Sequence, residues 1–286
     1  MFAPALLPRL REAVADFSLL LTKGYADKSA LKLVGDRFSL TQRQRLAVMR
    51  SSCSDQQRQS RLARRVPVEA LAGQPLAIDG YNLLITIEAA LSGGLIFQGR
   101  DGCFRDLASI HGTYRKVEET IPALKLIGAF LTEIRIAEAR VEGVPPSNRR
   151  QARPEPAERD ARDTETLPNR GRDARDTGVV QVLWLLDSPV SNSGRLKTLL
   201  GQLARENAWP WEIRLTISPD AELSSPLTVP SSQFPANGQL PTVPRQLPAI
   251  VVSTDSVILD ACQKWTNLAA EIITRRLPQA AVIDLA

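Results

Sequence analysis

A chain of 286 residues, 43% hydrophobic and 23% charged with a net charge of +5, holds enough apolar material for a sizeable core plus an appendage. It contains no apolar run near the roughly 18–20 residues that cross a bilayer, so no membrane partner is expected. Its single histidine, His111, excludes any metal site built on two imidazoles, and Cys53, Cys103 and Cys262 lie far apart without zinc-site spacing.

The opening "MFAPALLPRLREAV" carries two prolines and early charges in place of a basic head and an apolar h-region. A secretory signal is therefore not expected, and three separated cysteines fit reduced thiols in a cytoplasmic protein. Residues 1–70 hold 13 Lys/Arg against 6 Asp/Glu. This basic region is either a solvated helical face or a surface for a polyanion such as RNA. Val14, Phe17, Leu20 and Leu21 recur at helical spacing, and Gly24 closes that helix. Thr41 or Ser39 can cap a second helix carrying Arg43, Arg45 and Arg50. The turn chemistry between them is not diagnostic of a DNA-reading helix-turn-helix.

From residue 75 the texture changes to short apolar runs alternating with helical segments. "PLAIDGYN" reads as a strand, followed by the helical "LLITIEAALSGG". "LIFQGRDGCFRD" reads as a hairpin turning at Asp101-Gly102. Thr120 should cap an amphipathic helix, with Pro122 in its first turn and Leu124, Ile127, Leu131 and Ile134 on one face. "VVQVLWLLD", "WEIRLTIS" and "AIVVSTD" are further strands, and "AAVIDL" reads as an edge strand. "RLKTLLGQLARE" and "VILDACQKWTNLAAEIITRRL" read as helices. Such alternation predicts an α/β fold with a mainly parallel sheet covered on both faces. A helical region 1–70 would thus precede an α/β domain 71–286. Residues 141–178, with the near-repeat "ERDARDT…GRDARDT", are too charge-rich to offset their ordering entropy, so disorder is expected. Residues 219–248, rich in proline, should form an extended surface loop.

Three apolar strands end on a carboxylate: Asp79, Asp187 and Asp255. Ligands of open parallel sheets bind beyond the carboxyl ends of the strands. Neighbouring strands would bring these oxygens into one crevice, where like charges favour a hard cation, Mg²⁺ or Mn²⁺, over zinc. Each also has a local alternative. Asp187 and Asp255 can cap the helices that follow, and Asp79 can be a turn aspartate. Asp106 is a candidate fourth ligand. Arg105, His111 and Arg115 could hold a phosphate or pair with nearby acids. Ser188, Ser191, Asn192, Ser193 and Gly194, leading into Arg195 and Lys197, form either an anion cradle or a plain capping loop. Neither a P-loop nor a G-x-G-x-x-G dinucleotide motif is present.

"IDGYNLLITIEAAL", "RDGCFRDLASIHGTYRKVEET", "LLDSPVSNSGRLK", "VVSTDSVILD" and "LVGDRFSLTQRQRLAVMRSSC" resemble the prokaryotic domain-of-unknown-function family 434, whose C-terminal part is similar to PIN-like and NYN-related nuclease domains. The resemblance implies a three-layer α/β/α fold whose acidic residues bind Mg²⁺ or Mn²⁺ and hydrolyse RNA. "DGYN" looks like the NYN opening, placing the first-strand role on Asp79. "STDS" is similar to a late "GDSDF"-type motif, placing the later role on Asp255, although Val257 stands where that motif has a second carboxylate. Asp187 fits an intermediate acidic position, with Asp106 assisting. Asn82 would orient a ligand or water, Ser193 and Arg195 would contact phosphate, and Ser256 would touch substrate. Alternatives are a non-catalytic RNA- or nucleotide-binding module and a small-molecule phosphatase. The D-x-D arrangement of many phosphatases is missing after these strands.

Overall fold

The computed structural model describes residues 1–108, 114–141, 181–230 and 246–286. Two 3₁₀ turns, Pro4–Leu6 and Val68–Ala70, flank an N-terminal group of four helices: α1 (Leu7–Thr22), α2 (Asp27–Arg37), α3 (Gln42–Ser51) and α4 (Asp55–Arg64). Gly24, at φ +82°, follows the last turn of α1, a conformation that costs other residues strain. Reciprocal capping boxes open α3 (Thr41 with Gln44) and α4 (Ser54 with Gln57), each satisfying backbone N–H groups that a helix start leaves orphaned. Ser39, the other candidate cap, instead sits at φ 44° ahead of α3. The apolar stripe of α1 (Leu10, Val14, Phe17) meets Val34 of α2 and Ala47 and Val48 of α3. Phe97 and Leu285, far along the chain, complete that core, so the N-terminal helices are packed onto the body.

The body runs β1 (Leu76–Asp79), α5 (Gly80–Leu91), β2 (Ile96–Gln98), β3 (Phe104–Arg105), α6 (Thr120–Val141), β4 (Val182–Asp187), α7 (Ser193–Glu206), β5 (Trp211–Thr216) and α8 (Pro219–Ser224). It continues with β6 (Thr228–Pro230), β7 (Gln246–Pro248), β8 (Ile250–Val252), α9 (Ser256–Ala261), β9 (Trp265–Thr266), α10 (Leu268–Arg276) and β10 (Val282–Asp284). The main sheet has the order β5-β4-β1-β8-β9, and every pair in it is parallel. The chain leaves central β1 for β4 and β5, then returns to β8 and β9 on the other side. The order therefore reverses at β1 and β8, where open α/β sheets form their ligand crevice.

Side chains of a strand alternate between two faces. Ile78, Trp184, Leu186 and Val252 point into the larger core with Leu84 and Ile87 of α5, Leu124 and Ile127 of α6 and Leu200 of α7. Ala77, Leu183, Leu185 and Val251 point the other way, onto Leu223 of α8, Ile258 and Leu259 of α9, and Trp265. The result is a mixed α/β architecture with a helical N-terminal region and a mainly parallel sheet.

Four details differ from the sequence reading. The stretch 219–248 begins with a helix, α8, capped by Ser218, and carries the antiparallel pair β6–β7. "VILDACQKWTNLAAEIITRRL" is interrupted: buried Trp265 belongs to β9, its Nε1 donating to the Arg61 carbonyl, and Asn267 caps α10. "AAVIDL" supplies β10, an edge strand as expected, but of the small β10-β2-β3 sheet, where it pairs with β2, and not of the main one. The Thr120 hydroxyl turns inward, donating to Glu88 Oε1 (2.6 Å) instead of capping α6. The hairpin is formed as expected by β2 and β3, with Gly102 at φ 76°. The charged insertion beyond residue 141 and His111 lie outside the described residues.

Candidate functional site

The two-residue period that buries Ala77, Leu183, Leu185 and Val251 on one face brings Asp79, Asp187 and Ser253 out on that same face, just past the core. Asp79 is buried, at 6% exposure, and stands at the N-cap position of α5 without a side-chain cap bond. Ser253 Oγ donates to Asp79 Oδ2 (2.9 Å) and accepts the Asp255 N–H (3.0 Å). Burial, reinforced by the nearby charges of Asp220 and Asp255, raises the Asp79 carboxyl to about 7 despite the Ser253 bond. Burial also raises Asp187. It raises Asp220 too, with the charges of Asp255 and Asp187 adding to the effect. Asp220 thus links the edge of β4, β1 and β8, feeling the charges of Asp187 and Asp255 and acting, with Asp255, on Asp79.

Asp255 also does the local job that its position allows. It caps α9, its Oδ1 accepting from the N–H groups of Val257 (2.8 Å) and Ile258 (3.4 Å). Asp187 does not cap α7, whose N-cap is Asn192 in a left-handed conformation at φ 74°. Among the described residues, no three His, Cys, Asp or Glu side chains are arranged to hold one metal ion between them. Among the described residues, an ion here would find one or two carboxylates and complete its shell with water.

Several other expected members are already engaged in bonds of their own. Asp106 lines the cleft that also reaches Asp255, but its carboxylate is already engaged: its Oδ2 accepts from Thr86 Oγ1 (3.0 Å), its Oδ1 from Ala108 N–H (2.6 Å), and Arg50 lies 3.5 Å from Oδ1. Arg105 is not a free phosphate ligand. It forms a two-pronged bond to Asp101 (2.9 and 2.6 Å), and its Nε donates to the Thr254 carbonyl (2.7 Å). Ser193, 2% exposed, turns its hydroxyl inward to Tyr81 Oη (2.6 Å) and the carbonyls of Asp187 and Val190, which removes it from an anion cradle. Asn192 Nδ2 donates to the Tyr114 carbonyl (2.9 Å). Ser188, Ser191 and Arg195 remain exposed. Arg115, Lys116 and Arg195 share a surface groove of about 450 Å³ floored by Leu196 and Leu199. Asn82 accepts from both the N–H (2.9 Å) and hydroxyl (3.0 Å) of Thr254, fixing the strand exit that leads to Asp255. Asn82, Asp255 and Ser256 border a second cleft, beside α1 and α3.

A buried charge network supports this edge. Arg61 of α4, 1% exposed, donates to Asp101 (2.6 Å), Asp260 (2.7 Å) and the Ser256 carbonyl (3.4 Å). Arg61 and Arg105 therefore hold the carbonyls on both sides of Asp255. Burial pushes the Asp101 carboxyl up, but the two guanidiniums outweigh it and keep the group well below the ordinary carboxylate range. Asp101 is a turn residue, as its sequence suggests, and also the centre of this network.

Sequence reasoning missed Asp220, Ser253 and Arg61. Asp220 had a readable signal: "IRLTISPD" is a fourth apolar strand leaving its core toward a carboxylate, with Ser218 and Pro219 marking a helix start. Ser253 is one strand alternation beyond Val251. Arg61 sits among many arginines, and no local pattern separates it from them.

The N-terminal helices 9–64 match the model "Protein of unknown function (DUF434)". Residues 68–142 and 161–271 match a separate model, "Domain of unknown function (DUF5616)", so the likeness to family 434 is confined to the helical region. The protein MJ0935 of Methanocaldococcus jannaschii, described as uncharacterized, is 28% identical over 127 residues, which span 44% of this chain and 61% of that protein. No solved structure gives a significant match. With more than half its length matched by the one model, the chain belongs to the DUF5616 family and carries a DUF434 segment ahead of that domain.

Proposed function

We propose that the protein is a metal-dependent ribonuclease of PIN-like type, hydrolysing RNA phosphodiester bonds at the carboxyl edge of β4, β1 and β8. The observation that carries this reading is the gathering of Asp79, Asp187, Asp220 and Asp255 at the point where strand order reverses, with Asp79 raised to about 7. Carboxylates that raise one another's proton affinity form a site that gains by taking up a cation. The donors are all oxygen, which suits Mg²⁺ or Mn²⁺, and Mg²⁺ commonly keeps several waters while using one or two carboxylates. Asp79 and Asp187 would hold the ion, which when bound supplies neutralisation of phosphate charge and an acidified water. Asp220 and Asp255 add negative field. Ser253 and Asn82 fix the two strand ends, and Arg115, Lys116 and Arg195 share a groove whose positive charge a phosphate backbone would follow.

The test is cleavage of single-stranded and structured RNAs with Mn²⁺ by the wild type, Asp79→Asn and Asp255→Asn. Metal-dependent cleavage that both substitutions reduce at least a hundredfold supports the reading. Equal cleavage by all three, or none across a broad panel, rejects it.

Two observations favour a second reading, a non-catalytic RNA- or nucleotide-binding module. Asp255 is engaged as a helix cap, and no three potential ligands among the described residues are arranged around one ion. Salt-sensitive RNA binding without turnover in any divalent metal would select this alternative.

A further inference from the structure

We propose that the cleft between the N-terminal helices and the start of α5 receives one unpaired nucleobase of the RNA. This inference rests on the preceding reading and names how its substrate is recognised. The cleft has a volume of about 460 Å³ and opens beside Asp255, Asn82 and Ser256, so a base lodged there leaves its phosphate near Asp255. That size lies within the range of pockets for small ligands, roughly 300–1,000 Å³.

Its walls suit a flat heteroaromatic ring. Leu21 and Met49 come from the N-terminal helices and Ile85 from α5, and Met49 is 43% exposed, uncovered by its own helix bundle. A methionine thioether adapts its shape and packs well on π-systems. Arg50 lies at the same wall with its guanidinium held by three acceptors: the Asp106 carbonyl (2.6 Å), the Ala108 carbonyl (3.0 Å) and the Asp106 carboxylate (3.5 Å). A guanidinium fixed in this way offers a planar surface for stacking. Asn82 spends its Oδ1 on Thr254, which fixes the amide orientation. Its Nδ2 makes no hydrogen bond among the described residues and is available to a base acceptor. A base held in a duplex would have to leave its stack to enter, so the cleft selects single strands, loops or flipped nucleotides.

The test is photo-crosslinking of the full chain to a short oligouridylate carrying one 4-thiouridine, with Ca²⁺ in place of Mn²⁺, followed by peptide mapping. Adducts are expected within residues 42–51 or 80–91. Affinity for the same oligonucleotide should fall about tenfold in Met49→Asp and in Ile85→Ala, and should be retained in Met49→Leu. Exposed Met49 is a site where the substitution leaves the fold intact, which circular dichroism checks. Adducts confined to the Arg115–Arg195 groove, no adducts, or unchanged affinity in both variants overturn the proposal. If these failures occur while Mn²⁺-dependent cleavage persists, the pocket falls and the ribonuclease stands. If crosslinks form as expected but no metal supports cleavage, the pocket stands as a binding site and the ribonuclease falls.

Discussion

Ser253 and Asp79 are joined across neighbouring strand ends, hydroxyl to carboxylate, at 2.9 Å. The bond favours the charged form of a group whose burial disfavours it. The neutral form nonetheless persists to about pH 7, where an unfolded chain would have ionised near 3.8. Between those values the folded state binds more protons than the unfolded state, so metal-free stability falls as pH rises through the window and levels off above it. The shift corresponds to a loss on the order of 4 kcal/mol at most. Asp101, which is depressed, acts in the opposite sense and only under more acidic conditions, so it does not mask the trend. Urea denaturation in EDTA from pH 5 to 8 should show the decline in wild type and a flatter profile in Asp79→Asn. At pH 8 the variant should be the more stable protein.

Asp220 belongs to the acidic edge although it enters from α8, outside the three strands that end there. Asp220→Asn removes one of the charges that raise Asp79 and should lower the midpoint of the pH-dependent stability change. It should also weaken Mn²⁺ binding, read by calorimetry, by roughly ten- to a hundredfold. A neutral substitution at exposed Asp284 serves as the matched control.

Arg61 bonds to two carboxylates and a carbonyl from a nearly fully buried position. Arg61→Met leaves Asp101 with Arg105 still attached, so the cost should lie near the lower end of that for breaking a buried pair, about 3 kcal/mol. Arg61→Lys keeps the charge but loses the fork and should recover only part of that loss. Chemical denaturation measures both. If the network positions Asp255, Mn²⁺ affinity falls more in the methionine variant than in the lysine variant.

Ser193→Ala tests the correction to the anion cradle. The hydroxyl joins Tyr81 to the loop after β4 and does not face solvent, so its loss should cost about 1–2 kcal/mol of stability. Retention of RNA should be unchanged, whereas Arg195→Ala should reduce it and flatten its salt dependence.

The elements most legible in the sequence were those whose period repeats several times. β4 is buried over five consecutive residues, and α1 presents Leu10, Val14 and Phe17 on one face, so both could be read directly. The three aspartates were readable because each ends such a run. Harder to read were features that depend on remote partners. β9 is two residues long and exists because Trp265 finds Arg61 and the edge of β8. The inward turn of Ser193 is decided by Tyr81, more than a hundred positions earlier. Arg105 looked like a phosphate ligand because its nearest acid, Asp101, was read only as a turn residue.

The Arg61–Asp101–Arg105 contact has a genetic implication. The family boundary falls between residues 64 and 68, yet one partner of the triad lies before that line and the other two after it. Splitting the gene there would yield a downstream polypeptide with an ionised aspartate short of half its countercharge, and an upstream one with a guanidinium seeking a mate. Selection acting on either piece must therefore reckon with the other, and cloning strategies that respect sequence-family borders should give insoluble halves, recoverable only by co-expression.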